Sequence, residues 1–171
     1  LQQRGVVTPI TVVPTGVRLE HFAHGDGPAF RRQMGIPEDA FVVGHLGRLA
    51  PEKNLEFLAQ AVADFVGSRP HAHFLVIGSG PSETAMRDVF ARAGLEARLH
   101  VAGILQQQAL SDALHAMDLF AFASTSETQG MVLTEAMAAG LPVVALDAPG
   151  AREVVRDQQN GRLLREATPA A

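Results

Sequence analysis

Short apolar runs alternate along this chain with longer stretches in which apolar residues recur at helical spacing. The runs cover residues 10–13, 41–46, 74–77, 99–101, 119–123 and 142–146. Most carry no polar alternation, the pattern of strands covered on both faces in a parallel sheet. Between the second and third runs, Leu55, Leu58, Ala59, Val62, Phe65 and Val66 mark one helix face, with Asn54 as its N-cap and Gly67 as its stop. Met86, Val89, Phe90 and Ala93 repeat that spacing up to Gly94, and Ala109, Leu110, Ala113, Leu114 and Met117 repeat it again. A further helix is predicted from near Gly130 to Gly140, with Leu141-Pro142 leading into the next strand, and a short one at Gly150-Ala151-Arg152-Glu153. Residues 14–40 are irregular, broken by Pro14, Gly16, Gly25, Gly27 and Pro28.

Strand and helix in alternation, with short connections, predict right-handed βαβ units and an α/β, doubly wound parallel sheet of Rossmann-like type. No linker divides the 171 residues, so they are expected to form one domain. Ligands of such sheets sit beyond the carboxyl ends of the strands, where strand order reverses. Composition narrows the chemistry. Hydrophobic residues make up 47% and charged residues 19%, which excludes a disordered segment. The net charge of −4 offers no general attraction for nucleic acid or an anionic membrane surface. With no cysteine there is neither a disulfide framework nor thiolate chemistry. The chain starts at Leu1 without a signal segment and is expected to lie within a longer protein.

Four segments that follow strands deserve a chemical reading. In Gly47-Arg48-Leu49-Ala50-Pro51-Glu52-Lys53, two cations five residues apart flank a turn, either as an anion site or as solvated surface charge. Gly78-Ser79-Gly80-Pro81 permits close backbone approach to a phosphate, or is simply a tight turn. Its third fingerprint glycine is replaced by Glu83, which argues against a nicotinamide site. Ser126-Glu127-Thr128-Gln129-Gly130-Met131-Val132-Leu133-Thr134-Glu135 sets two carboxylates around a glycine at a helix start. The N–H groups of Gly130, Met131 and Val132 would face an anion there, and Glu135 would sit at the edge of a packed face. Its partners would be either ribose hydroxyls or a neighbouring loop. The loop His100-Val101-Ala102-Gly103-Ile104-Leu105 could hold the edge of a flat base through its main chain, or merely pack. The seven histidines show no zinc-type i, i+4 pair, and His71 and His73 are expected at the surface. Ser124 and Ser126 lack a nucleophile-elbow context.

In order, the motifs are Val12-Val13-Pro14-Thr15-Gly16-Val17, Gly47-Arg48-Leu49 with Lys53, Val76-Ile77-Gly78-Ser79-Gly80-Pro81, Val101-Ala102-Gly103, Ser126-Glu127, and Glu135-Ala136-Met137-Ala138-Ala139-Gly140-Leu141-Pro142. Together they resemble the C-terminal domain of retaining, nucleotide-sugar-dependent glycosyltransferases of family 4, which have the two-domain GT-B fold. The resemblance implies a UDP-, GDP- or ADP-sugar donor and no cofactor or metal. It implies that Arg48 and Lys53 hold the diphosphate, with Gly16 in the donor site and Glu135 on the ribose hydroxyls. Glu127 and the backbone of Gly130, Met131 and Val132 would meet the sugar and distal phosphate, and Leu105 the base. Glu127, Arg48 and Lys53 would carry the catalysis. The partner is then an N-terminal, acceptor-binding domain of the same full-length, cytoplasmic protein, through which any membrane contact would run, and nucleic acid is not a partner. One departure stands out: the family usually places an aromatic residue and glycine after the first glutamate, whereas here Glu127-Thr128-Gln129-Gly130 stands. That version is similar to members that glycosylate lipid acceptors. A GT-B epimerase, a sucrose-type synthase half and a non-catalytic nucleotide-binding module are the other readings.

Overall fold

The structure is a computed structural model that describes residues 2–5, 7–11, 13 and 15–165. Six parallel strands form one sheet: β1 (Phe41–Leu46), β2 (Ala72–Ile77), β3 (Leu99–Gly103), β4 (Leu119–Phe122), β5 (Val143–Leu146) and β6 (Arg162–Leu164). Their spatial order is β3-β2-β1-β4-β5-β6, so the winding direction reverses between β1 and β4. Register is continuous from Phe41↔Ala72 to Leu46↔Ile77, whereas the β1–β4 ladder holds through Val43↔Leu119 and Gly44↔Phe120.

The apolar runs form strands because both faces are covered, and side chains alternate between two cores. Val42, Leu75, Ile77, Phe120 and Phe122 enter one core, with α1 (Gly27–Met34), α4 (Gln107–His115), α5 (Met131–Ala138) and α6 (Pro149–Arg152). Val43, Phe74, Val76 and Ala121 enter the other, under α2 (Leu55–Ser68) and α3 (Glu83–Arg92). Leu58, Ala59, Val62 and Val66 of α2 and Met86, Val89 and Phe90 of α3 are the buried faces that the spacing predicts. The doubly wound α/β architecture is therefore as expected.

Four local expectations are corrected. Ile10 and Val13 are 40% and 82% exposed, and the described residues of the 10–13 run belong to no strand. β-propensity without a partner edge does not make a strand; Val12 and Pro14 lie outside the described residues. The sixth strand is instead β6, paired to β5 through Ala145↔Leu163. Within the irregular stretch, α1 forms because the Asp26 carboxylate caps the Ala29 N–H at 2.8 Å and Gly35 closes it with φ 68°. Gly67 does not stop α2, which runs to Ser68, whereas Asn54 is its N-cap residue as expected, in the left-handed region and without a side-chain cap bond. His71 is exposed as expected, but His73 is buried, its Nδ1 2.9 Å from His100 Nε2 on the neighbouring strand. No helix among the described residues is long and apolar enough to cross a membrane.

Candidate functional site: the carboxyl edge at the β1–β4 reversal

Beyond Leu46 the chain continues through Gly47 and Arg48 into a 3-10 turn at Pro51–Lys53. This loop is held by its neighbour. Gly47 N–H donates to Ile77 O at 3.0 Å, Leu49 N–H to Ser79 O at 2.9 Å, and Ser82 N–H to Leu49 O at 2.9 Å. A Cβ on Gly78 would stand 1.9 Å from Gly47 O, and one on Gly80 2.3 Å from Leu49 O. The two glycines, at φ 136° and 153°, therefore admit the adjacent loop. The close approach that the Gly-x-Gly pattern suggests is to protein backbone.

Across the reversal, Glu127 follows β4. Its Oε2 accepts from Lys53 Nζ at 2.9 Å, and its Oε1 from the N–H groups of Thr128 (3.0 Å) and Gln129 (3.4 Å). Lys53 and Glu127 side chains are 20% and 17% exposed. Burial opposes ionisation of Glu127, but the Lys53 ammonium and the two N–H groups outweigh it and hold the carboxyl below its ordinary value. Ser126 Oγ adds a bond to Glu52 O at 3.2 Å. Arg48, 69% exposed, pairs with Glu52 one helical turn away. Such an exposed pair contributes only about 0–1 kcal/mol, so a ligand anion can recruit the guanidinium at little cost.

Helix α5 completes this side. Leu133 and Thr134 give their N–H groups to Gly130 O at 2.9 and 3.1 Å, leaving those of Gly130, Met131 and Val132 ahead of the helical ladder. Gly130 has φ 63°, and a Cβ there would meet Gly150 O at 2.8 Å. A Cβ on Gly150 would in turn stand 2.4 Å from Glu127 O, so these glycines set the position of the Glu127 loop. Glu135 is half-buried and accepts no hydrogen bond among the described residues, and burial pushes its carboxyl up.

His45, Gly47, Arg48, Lys53, Glu127 and Val132 line a cavity of ≈ 250 Å³. A second, of ≈ 380 Å³, adjoins it through Gly47 and Arg48 and reaches Ser79, Ile104 and Leu105. The predicted residues Arg48, Lys53, Glu127, Val132 and Leu105 thus lie in the walls of two adjoining cavities. Gly130, Met131 and Glu135 line neither cavity, Gly130 being the N-cap of the helix α5 that bears the other two, and Gly16 follows Thr15, whose Oγ1 accepts from Gln129 at 3.2 Å. The wall also holds His45, which escapes sequence reasoning, and Ile104, which that reasoning reaches only through the main chain of its loop. Ile104 is a large exposed apolar side chain. His45 is a buried ring, its Nδ1 3.1 Å from Ala121 O. Burial first, and Lys53 second, lower the His45 pKa to about 4 against the opposing pull of that carbonyl.

The fold is that of a GT-B glycosyltransferase half, a Rossmann-like parallel sheet, and in this chain charged loops and a helix start converge where strand order reverses. Residues 26–171 match the family described as glycosyl transferases group 1, and the chain belongs to that family. It is 34% identical over 172 residues to a D-inositol 3-phosphate glycosyltransferase of Streptomyces scabiei, covering 95% of this chain and 39% of that protein. It is 29% identical over 156 residues to the alpha-monoglucosyldiacylglycerol synthase of Acholeplasma laidlawii, with 88% and 39% covered. The solved structure of Anabaena Alr3699/HepE with UDP and glucose is similar at a TM-score of 0.80 and 31% identity, over 90% of this chain and 42% of that one. The chain therefore spans about two fifths of the length of the curated relatives it matches.

Proposed function

We propose that this chain binds the nucleotide-sugar donor for a retaining, family 4 glycosyltransferase that moves a hexose from a UDP-sugar to a lipid or glycan acceptor. The observation that carries the reading is the convergence of Arg48, the Lys53–Glu127 pair and the start of α5 on one cavity at the β1–β4 reversal. The likeness to a protein solved with UDP and glucose supports UDP as the nucleotide.

In this reading Arg48 and Lys53 hold the diphosphate and Glu135 accepts from the ribose hydroxyls. The main chain at Leu105 meets the base, and Glu127 with the first N–H groups of α5 meets the sugar and distal phosphate. Gly16 borders the donor. Transfer breaks the bond between the anomeric carbon and the diphosphate oxygen and forms one to the acceptor oxygen on the same face. The acceptor proton passes to the leaving phosphate. Arg48, Lys53 and the helix start stabilise the charge that develops on the leaving group, without a divalent metal. The acceptor oxygen must come within about 3–3.5 Å of the anomeric carbon, and a second domain of the full-length cytoplasmic protein would supply that placement.

Calorimetric titration with UDP, GDP and ADP tests this. UDP is expected to bind with a dissociation constant between micromolar and millimolar, about −8 to −4 kcal/mol, unchanged by EDTA. The 171 residues alone are expected to transfer no sugar. Binding of none of the three, or binding lost on chelation and restored by magnesium, would refute the proposal, and robust transfer would refute the division of labour.

A further inference from the structure

His45 is the penultimate residue of the otherwise apolar central strand β1, 1% exposed. Its ring lies near-parallel to those of Phe120 and Phe122, at 14° and 21°, each centroid 6.3 Å away. Nδ1 faces the Ala121 carbonyl at 3.1 Å. A carbonyl can only accept, so Nδ1 carries the ring proton and Nε2 carries the lone pair. That Nε2 is buried without a hydrogen-bond partner among the described residues. Proteins rarely leave such an acceptor unmatched unless something else supplies its donor.

The surroundings say what could. Nε2 stands 3.5 Å from where a Cβ on Gly47 would be, so a side chain at position 47 would lie in contact with the nitrogen, and the glycine places none there. The ring lines the same cavity as Lys53, Glu127 and Val132. Lys53, the cation whose charge acts on the ring, gives a hydrogen bond to Glu127 and none to Nε2. A phosphate oxygen cannot satisfy Nε2 either, because an ionised phosphate only accepts. The cavity therefore asks for a neutral hydroxyl at this point, and a hexose is the part of a nucleotide sugar that carries one beyond the ribose.

We infer that His45 is a specificity-determining residue whose Nε2 accepts a hydrogen bond from one hydroxyl of the donor sugar, with the Ala121 carbonyl fixing the ring in the tautomer that can do so. This deepens the functional reading above and rests on it. Burial keeps the ring neutral in the physiological range, so that the lone pair stays available.

His45→Phe keeps a flat ring beside Phe120 and Phe122 and removes the acceptor. UDP should bind this variant as it binds the wild type. UDP-glucose should bind it roughly 2- to 12-fold more weakly, the loss of one neutral hydrogen bond. Among UDP-glucose analogues lacking each sugar hydroxyl in turn, one should bind the wild type weakly by that same factor yet bind the variant like its parent. A nitrogen-15 spectrum of the wild-type protein gives a check that no substitution can confound: the unprotonated nitrogen of His45 should move upfield with UDP-glucose and stay in place with UDP. Equal weakening of UDP and UDP-glucose, no discrimination lost across the deoxy series, or a nitrogen indifferent to the sugar would each overturn the role of His45. Failure of UDP itself to bind would overturn the functional reading as well.

Discussion

The two ends of the sheet set the same kind of ion pair in opposite surroundings. At the amino end, Arg31 donates from Nη2 to Asp118 at 2.8 Å, from Nε to Ala116 O at 2.8 Å, and from Nη1 to Glu38 O and Ala40 O at 2.9 and 3.0 Å. Asp118 also accepts from the Val42 N–H at 2.7 Å. That knot ties α1 to β1 and β4 with each guanidinium nitrogen in use. At the carboxyl end, Lys53 and Glu127 bridge the loops after the same two strands, but around them His45 Nε2 and the Glu135 carboxylate have no partner among the described residues. A saturated polar network rigidifies a fold, whereas an under-satisfied one marks where a ligand completes the bonding.

The largest effect should come from breaking the saturated end. Arg31→Met removes the partner of the Asp118 carboxylate and takes a donor from three backbone carbonyls, for a loss of about 3 kcal/mol of stability. For a chain of this length that lowers Tm by roughly 6–12 °C. Folded variant should still bind UDP like the wild type. Stability held within about 0.5 kcal/mol, as for an ordinary surface substitution, would show that the knot is not structural.

Glu135→Ala should do the reverse. UDP binding should weaken by about 1.5–3 kcal/mol, the range for a hydrogen bond to a charged group, while thermal melting stays put. If binding is unchanged and melting collapses, Glu135 belongs with the structural charges. Lys53→Met should weaken UDP binding in the same direction, and the difference should grow at low salt, where charge is less screened.

Smallest of all, and sharpest in sign, is the pH response of the two glutamates. The folded pKa of Glu127 is lowered, so its contribution to stability is full above the ordinary carboxylate value of about 4.3 and is lost as pH falls through the folded value. Glu135 is raised, so its contribution is full below the ordinary value and is lost as pH rises through the folded one. Urea midpoints of Glu127→Gln and Glu135→Gln against pH should therefore diverge from wild type in opposite limbs. Parallel curves would mean that the two carboxylates share one environment.

Much of this was legible in the chain. Strands buried on both faces leave continuous apolar runs, which is why β1, β2, β4 and β5 could be placed. Arg48, Lys53 and Glu127 were found by position, since residues just past strand ends face the ligand edge of such a sheet. Short elements with few apolar positions were not: α1 buries only Gly27 and Phe30, and β6 is three residues long and begins with an exposed arginine. Nor was the Lys53–Glu127 bond, because its partners lie 74 residues apart and meet only once β4 settles beside β1. His45 lay unremarked in the run at 41–46, because its meaning depends on the Ala121 carbonyl and on Gly47, neither of which spacing can align with it. The run at 10–13 misled for the converse reason, having strand composition without a strand to join.

The hydrogen bonds that continue the sheet past its strand ends have a thermodynamic consequence. Gly47 and Leu49 bond to Ile77 and Ser79, and Gly78 to Gly103 O at 2.7 Å, so the segment bearing Arg48 is a prolongation of the ladder. A free loop would lose about 1–2 kcal/mol of backbone entropy per residue on closing around an anion. Here folding has already ordered that backbone, and under the proposed function what remains to be arrested on nucleotide binding is one exposed side chain turning away from Glu52. Association at this edge should therefore resemble docking onto a rigid rim, with little conformational entropy lost at the moment of contact.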